Sequence, residues 1–237
     1  MSINQIPLAA FLELCNTNIC YNLIIDIETG PTAVEYIETF FNAHDEWTEE
    51  RTEKERAKFV EKSPLKAHLS NVLAIGYGYY KGDALTVAID TNEGTDTESV
   101  DEDERRMTTR FWTLYHRVIN ARSRLIGFNS DHFDLPYLQR KAWVHAVKTQ
   151  PLITKYGKTP DFCFDLHKEW KAGVWGYDDS ISLNNLCRAL GVEGKLPGVS
   201  GANFHELYKT ERGRALEYLR SDIAATARAA IRMGYTR

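Results

Sequence analysis

Asp26 and Glu28 stand one residue apart at the end of the apolar run Tyr21-Asn22-Leu23-Ile24-Ile25-Asp26-Ile27-Glu28, and Thr29-Gly30-Pro31 follows at once. An Ile-rich run of this length, closed by Gly and Pro, reads as a buried strand. Residues i and i+2 of a strand face the same side, so the two carboxylates aim at one point. Like charges that close resist joint ionisation. A divalent cation between them resolves the conflict; taken alone, the pair is equally a strand that surfaces into an acidic turn.

With 237 residues, 43% of them apolar, the chain is long enough for one large domain with its own core. We read residues 1–237 as a single domain with a helical insertion around 32–62. No stretch approaches the roughly 20 apolar residues of a membrane span, and no Lys or Arg precedes Arg51, which argues against a secretory signal. The expectation is a soluble, cytoplasmic protein with no membrane contact. Cys15, Cys20, Cys163 and Cys187 lack CxxC spacing and read as reduced thiols. The net charge of -4 hides an acidic excess before Met107 and a basic excess after it. Such a chain can hold a polyanion on one part and present carboxylates to metals on another, although sequence halves need not be spatial halves.

Along the chain, Asn22 to Ile27 reads as the first strand, and Thr32 to Ala43 and Glu46 to Glu61 as helices. Asn71 to Tyr80 and Ala84 to Ile89 read as a hairpin turning at Lys81-Gly82-Asp83. Asn92 to Glu104, rich in Thr, Ser, Gly and acids, is expected to be a solvated loop. Helical spacing returns from Asp103 to Ala121. Arg124 to Asn129 reads as a strand, Leu135 to Val147 as a helix and Asp161 to Leu166 as a strand. Ser182 to Leu190 is a helix closed by Gly191, and Arg214 to Met233 a long terminal one. Strands interrupted by helices, with one early antiparallel hairpin, imply an α/β fold with a mixed sheet flanked by helices.

Two later segments bear on the acidic pair. In Gly127-Phe-Asn-Ser-Asp-His-Phe-Asp-Leu135, an Asn ends a strand and Asp134 stands at the mouth of the next helix. Ligands gather at strand ends in open sheets, so Asp134 can join Asp26 and Glu28; it can also be a helix N-cap, and Asp131 is a rival. On the terminal helix, Tyr218 and Asp222 are spaced i, i+4 and share a face. That pair alone is common in helices.

Together, Asp26-Ile-Glu28-Thr29, Asn129-x-x-x-Phe133-Asp134 and Tyr218-x-x-x-Asp222 resemble the three motifs of the DEDD exonuclease superfamily, in its tyrosine subgroup. The nearest likeness is to the exonuclease domain of family B DNA polymerases and to stand-alone exonucleases related to it. The histidine subgroup would carry His one residue earlier, where this chain has Glu217. The stretch from Ser182 through Gly191 to Lys195 and Gly201 also looks like what precedes the third motif, so the resemblance runs from about Tyr21 to the C-terminus. There is no room after Arg237 for a polymerase palm, which points to an enzyme acting alone or with a separate partner.

The resemblance implies a ribonuclease H-like fold in which Asp26, Glu28, Asp134 and Asp222 hold two Mg2+ or Mn2+ ions. Hard oxygen donors suit these ions better than zinc. It implies 3'-5' hydrolysis of nucleic acid to nucleoside 5'-monophosphates, with Tyr218 orienting the attacking water rather than taking its proton, since a free phenol titrates near about 10. Ile27, Thr29, Asn129, Phe133 and Lys195 are the expected substrate contacts, Lys195 at a phosphate. Phe128 reads as core, and His132 and His167 as hydrogen-bonding residues. Single-stranded DNA is the expected substrate; RNA trimming is the alternative, followed by a silent nucleic-acid-binding module.

Overall fold

A computed structural model of the chain describes residues 1–17, 22–81, 84–120, 123–149, 152, 159–173, 180–198 and 201–235. Its centre is β2 (Asn22–Pro31), whose residues alternate between two apolar layers: Leu23, Ile25 and Ile27 enter one, Ile24 the other. On the same face as Ile24, two residues further along, is Asp26. β2 runs antiparallel to β3 (Ser70–Lys81), which runs antiparallel to β4 (Ala84–Thr91). β5 (Arg124–Gly127) and β6 (Cys163–Asp165) extend the other side in parallel. With β1 (Ser2–Gln5) parallel to β4, the order is β1-β4-β3-β2-β5-β6. This is the mixed sheet between helices that the spacing implied, and it is compatible with a ribonuclease H-like fold.

Helices α1 (Leu8–Thr17), α4 (Thr97–Asn120) and α5 (Asp134–Val144) cover the first layer. α7 (Leu183–Leu190) and α9 (Arg212–Arg232) cover the second, with α8 (Phe204–Thr210) beside α9. The buried face of α9 is built from Ala215, Leu219, Ile223, Ala227 and Ala230 among others, small enough for close approach. The sheet cooperates. A Cβ on Gly76 would lie 2.9 Å from Ile223 Cγ1, and one on Gly78 2.6 Å from Ile223 Cγ2. Bare backbone at these two positions is what lets α9 sit directly on the strand that pairs with β2.

Several sequence expectations change. The stretch Asn92 to Glu104 is not all loop: the Asp96 carboxylate accepts the Ser99 N–H, as an N-cap does, and α4 begins at Thr97. Glu104 is fully buried, so a charge stands where the apolar stripe would have announced the helix. The expected helix over Thr32 to Ala43 shrinks to α2 (Val34–Glu38), and the next becomes α3 (Glu49–Glu61), capped by Thr48. β1, α1, α8 and the short helix α6 (Leu166–Trp170) carry no expectation from the sequence. Cys163 and Cys187 are free thiols and Cys15 is buried in the first layer; Cys20 and the turn residues Gly82 and Asp83 lie outside the described residues. Among the described residues, no helix is long and apolar enough to cross a membrane.

Candidate active site

Three carboxylates from distant parts of the chain meet: ligand oxygens of Asp26, Glu28 and Asp222 all lie within 4.8 Å of one another. The pairing explains how. Asp26 is opposite Gly76 in the β2/β3 ladder and Glu28 opposite Ala74, so α9, resting on Gly76 and Gly78, delivers Asp222 beside Asp26. The ladder then slips between Glu28 and Thr29, where Thr29 pairs with Val72 and Leu73 is the extra residue. A bulge at this point bends the strands next to Glu28 and sets the direction of its side chain. Gly201 lies near Glu28 Oε2 and brings the loop before α8 to the same place.

Asp134 arrives from the opposite layer. β5 pairs with β2 only as far as Ile24, and beyond it the Ile27 N–H donates to Asp134 Oδ1 at 2.9 Å. Asp134 is therefore not an N-cap: Phe133 holds that position without a side-chain cap, and the Asp134 carboxylate replaces a ladder partner. It stands outside the tight three-carboxylate group, yet its charge still acts on Asp26. The rival has partners of its own: Asp131 Oδ2 accepts from Thr159 at 2.8 Å and from Lys168 at 2.9 Å, and Asp131 is not in the three-carboxylate group.

Tyr218 is 1% exposed and next to this cluster. Lys195 Nζ donates to its hydroxyl at 2.6 Å and to Asp222 Oδ2 at 3.0 Å. The loop that carries Lys195 is held by two bonds, Lys195 N–H to Asn184 Oδ1 and Leu196 N–H to Ser221 Oγ. Asn129 adopts φ 59°, and its N–H donates to Asp165 Oδ1 at 2.8 Å. Phe133 is half-buried against the first core layer, with its ring 5.6 Å from that of Tyr137. The Thr29 hydroxyl donates to the Pro64 carbonyl at 2.7 Å, tying the segment before β3 to the strand end. Phe128 packs against the second layer and the His167 ring.

Burial pushes the Asp26 carboxyl well above its ordinary range, and the charges of Asp134, Asp222 and Glu28 push it further. Glu28 is raised by burial and then by Asp222. Burial also raises Asp222, against the pull of Lys195, and moves Asp134 up to about 7. The Tyr218 phenol is raised by burial and by Asp222, so it stays protonated. Asp222 Oδ1 is buried without a hydrogen-bond partner. An orphaned carboxylate oxygen inside a repelling cluster of hard oxygen donors fits a divalent cation.

Asp165 escaped the sequence reading. It accepts N–H groups from Asn129, Asp131 and His167, and so shapes the loop before Asp134. Its segment, Asp161 to Leu166, reads only as a strand, because two of the three donors come from distant sequence. Gly76 and Gly78 were missed for the same reason: their role depends on Leu219 and Ile223, over 140 residues later.

Among curated proteins, none matches this chain. One family does, over residues 63–236, described as a predicted 3'-5' exonuclease related to the exonuclease domain of PolB. The matched region holds Asp134, Lys195, Tyr218 and Asp222 but not Asp26 or Glu28, which join the site through the geometry above. The match covers well over half of the sequence, and the chain belongs to this family of predicted 3'-5' exonucleases related to the PolB exonuclease domain.

Proposed function

We propose that this protein is a metal-dependent 3'-5' exonuclease that removes nucleoside 5'-monophosphates from the 3' end of single-stranded DNA, using two Mg2+ or Mn2+ ions. The supporting observation is the meeting of Asp26, Glu28 and Asp222 beside Tyr218 in a chain of this family. Asp26, Glu28 and Asp222 would hold one ion, and Asp26 with Asp134 the second. When bound, such a pair of ions activates water and stabilises the leaving oxygen of a phosphodiester. Tyr218, kept protonated, donates a hydrogen bond that orients the water and the scissile phosphate. Lys195 steadies that hydroxyl and offers its charge to a phosphate oxygen. Asn129 and Phe133 seat the terminal nucleotide. The Ile27 N–H and Thr29 hydroxyl already have protein partners, so a contact of Ile27 and Thr29 with the terminal sugar would not use these two groups.

The test is digestion of 5'-labelled single-stranded DNA, duplex DNA and RNA with Mn2+ or Mg2+ and with EDTA. A metal-dependent ladder shortening from the 3' end of single-stranded DNA is expected. Faster trimming of RNA replaces the DNA assignment. Metal-independent binding without product ends the enzymatic reading in favour of a binding module.

A further inference from the structure

We infer that Glu104, Lys141 and His145 form a buried positioning device for the candidate metal site, one that sets Glu28 and Asp134 through a single clamp; this rests on the function proposed above. Glu104, on α4, is fully buried, and each of its oxygens is used. Oε1 accepts the Val72 N–H at 2.6 Å. Oε2 accepts from Lys141 Nζ at 2.9 Å and bonds His145 Nε2 at 2.8 Å. Lys141 is itself 4% exposed. None of these groups touches the three-carboxylate cluster, and a buried charge network costs desolvation that well-packed apolar residues avoid.

The place of the network gives it a use. Val72 is the residue opposite Thr29, where the β2/β3 ladder slips immediately after Glu28. A bulge frees backbone groups from the ladder, and three groups here have partners: the Val72 N–H in Glu104, the Leu73 carbonyl in the Asn92 N–H and the Val72 carbonyl in Asn92 Nδ2. The bend that aims Glu28 is thus held on one side by the chain that continues β4 and on the other by a side chain from outside the sheet, Glu104.

The other end of the clamp leads to Asp134. Asp134, Lys141 and His145, the last at the C-cap, are spaced i, i+7, i+11 along α5, one stripe of the helix. At one end Asp134 bonds the Ile27 N–H; two turns on, about 10 Å along the axis, Lys141 and His145 reach Glu104. In β3, Val72 is three residues from Ile75, the partner of Ile27, again about 10 Å at strand rise. The two spans match. Helix α5 is therefore fixed to the β2/β3 pair at two points, which sets both its rotation and its shift, and with them the aim of the Asp134 carboxylate. Tyr137 adds a third tie through Ser70 Oγ at 2.6 Å.

A paired replacement separates positioning from stability. Glu104→Met with Lys141→Met removes both buried charges together, keeps the volume and frees the Val72 N–H. We expect a folded protein whose Mn2+ affinity, read from free Mn2+ by electron paramagnetic resonance, falls about 10-fold or more. Turnover of single-stranded DNA should fall in kcat with KM nearly unchanged, and hydrogen exchange at Val72 should accelerate. As a milder pair, His145→Leu should weaken Mn2+ binding and His145→Gln, which can still donate to Glu104, should restore it. Parental Mn2+ affinity and kcat in the double variant, or in His145→Leu should the double variant not fold, overturns the inference alone. A parent protein that takes up no Mn2+ overturns the site reading and this inference with it.

Discussion

The Lys195 ammonium lies 3.0 Å from Asp222 Oδ2, on the carboxylate whose other oxygen is buried without a partner. One oxygen is neutralised from within the chain and the other is left for something else. Lys195→Met should therefore lower kcat by about 10- to 100-fold, since it removes a cation preorganised beside Tyr218 and the phosphate. Mn2+ affinity should not weaken, because the lost ammonium also repels the ion. Steady-state kinetics with Mn2+ titration checks both, and a variant that loses Mn2+ binding would contradict the placement.

Carboxylates that repel one another destabilise the metal-free fold. Asp26→Asn should raise metal-free stability by about 1 kcal/mol while reducing turnover by about 1000-fold or more. The check is thermal unfolding in EDTA and again with Mn2+. The parent should gain stability from the ion and the variant should not.

The raised carboxyls also set a pH dependence. Asp134, at about 7 in the fold, keeps its proton where an unfolded Asp, near about 4, has lost it. The native state then binds more protons, so metal-free stability should fall as pH rises from about 4 through 7. Asp26, Glu28 and Asp222, raised too, add in the same direction. Mn2+ must displace these protons, so its affinity should rise over the same window. Calorimetry in two buffers of different ionisation enthalpy measures the protons released; none released at pH 6 would contradict the shifts.

Gly78→Ala would place a Cβ 2.6 Å from Ile223 Cγ2. Overpacking of this kind costs about 1 to 3 kcal/mol, and moving α9 outward carries Asp222 away from Asp26. The variant should lose both stability and Mn2+ affinity. Adding Ile223→Ala, which removes the clashing atoms, should restore part of the Mn2+ affinity, and a double-mutant cycle should therefore be non-additive.

Local pattern made much of this molecule legible. The spacing of Asp26 and Glu28, the hairpin of β3 and β4, the Ser182 cap and Gly191 stop of α7, and the i, i+4 pair on α9 are all short-range features, set by strand and helix periodicity. The start of α4 was not legible, because Glu104 takes a core position and its charge is answered by Lys141 and His145 from another helix. Nor were β1 and α8, whose stability comes from docking on β4 and α9 rather than from their own pattern.

The site divides along the same line. Strand and helix periodicity settles which side chains are offered: carboxylates on a strand end and a helix mouth, a tyrosine and an aspartate on one helical face, a lysine in a glycine turn. Packing between elements selects which of them meet. It separated Asp134 from Asp131 by giving one the Ile27 N–H and the other Lys168, and it joined Asp222 to Asp26 through the bare backbone of Gly76 and Gly78. The difference is one of range: periodicity fixes where a side chain points from its own element, whereas distance between elements depends on the packing atoms and buried partners each one finds.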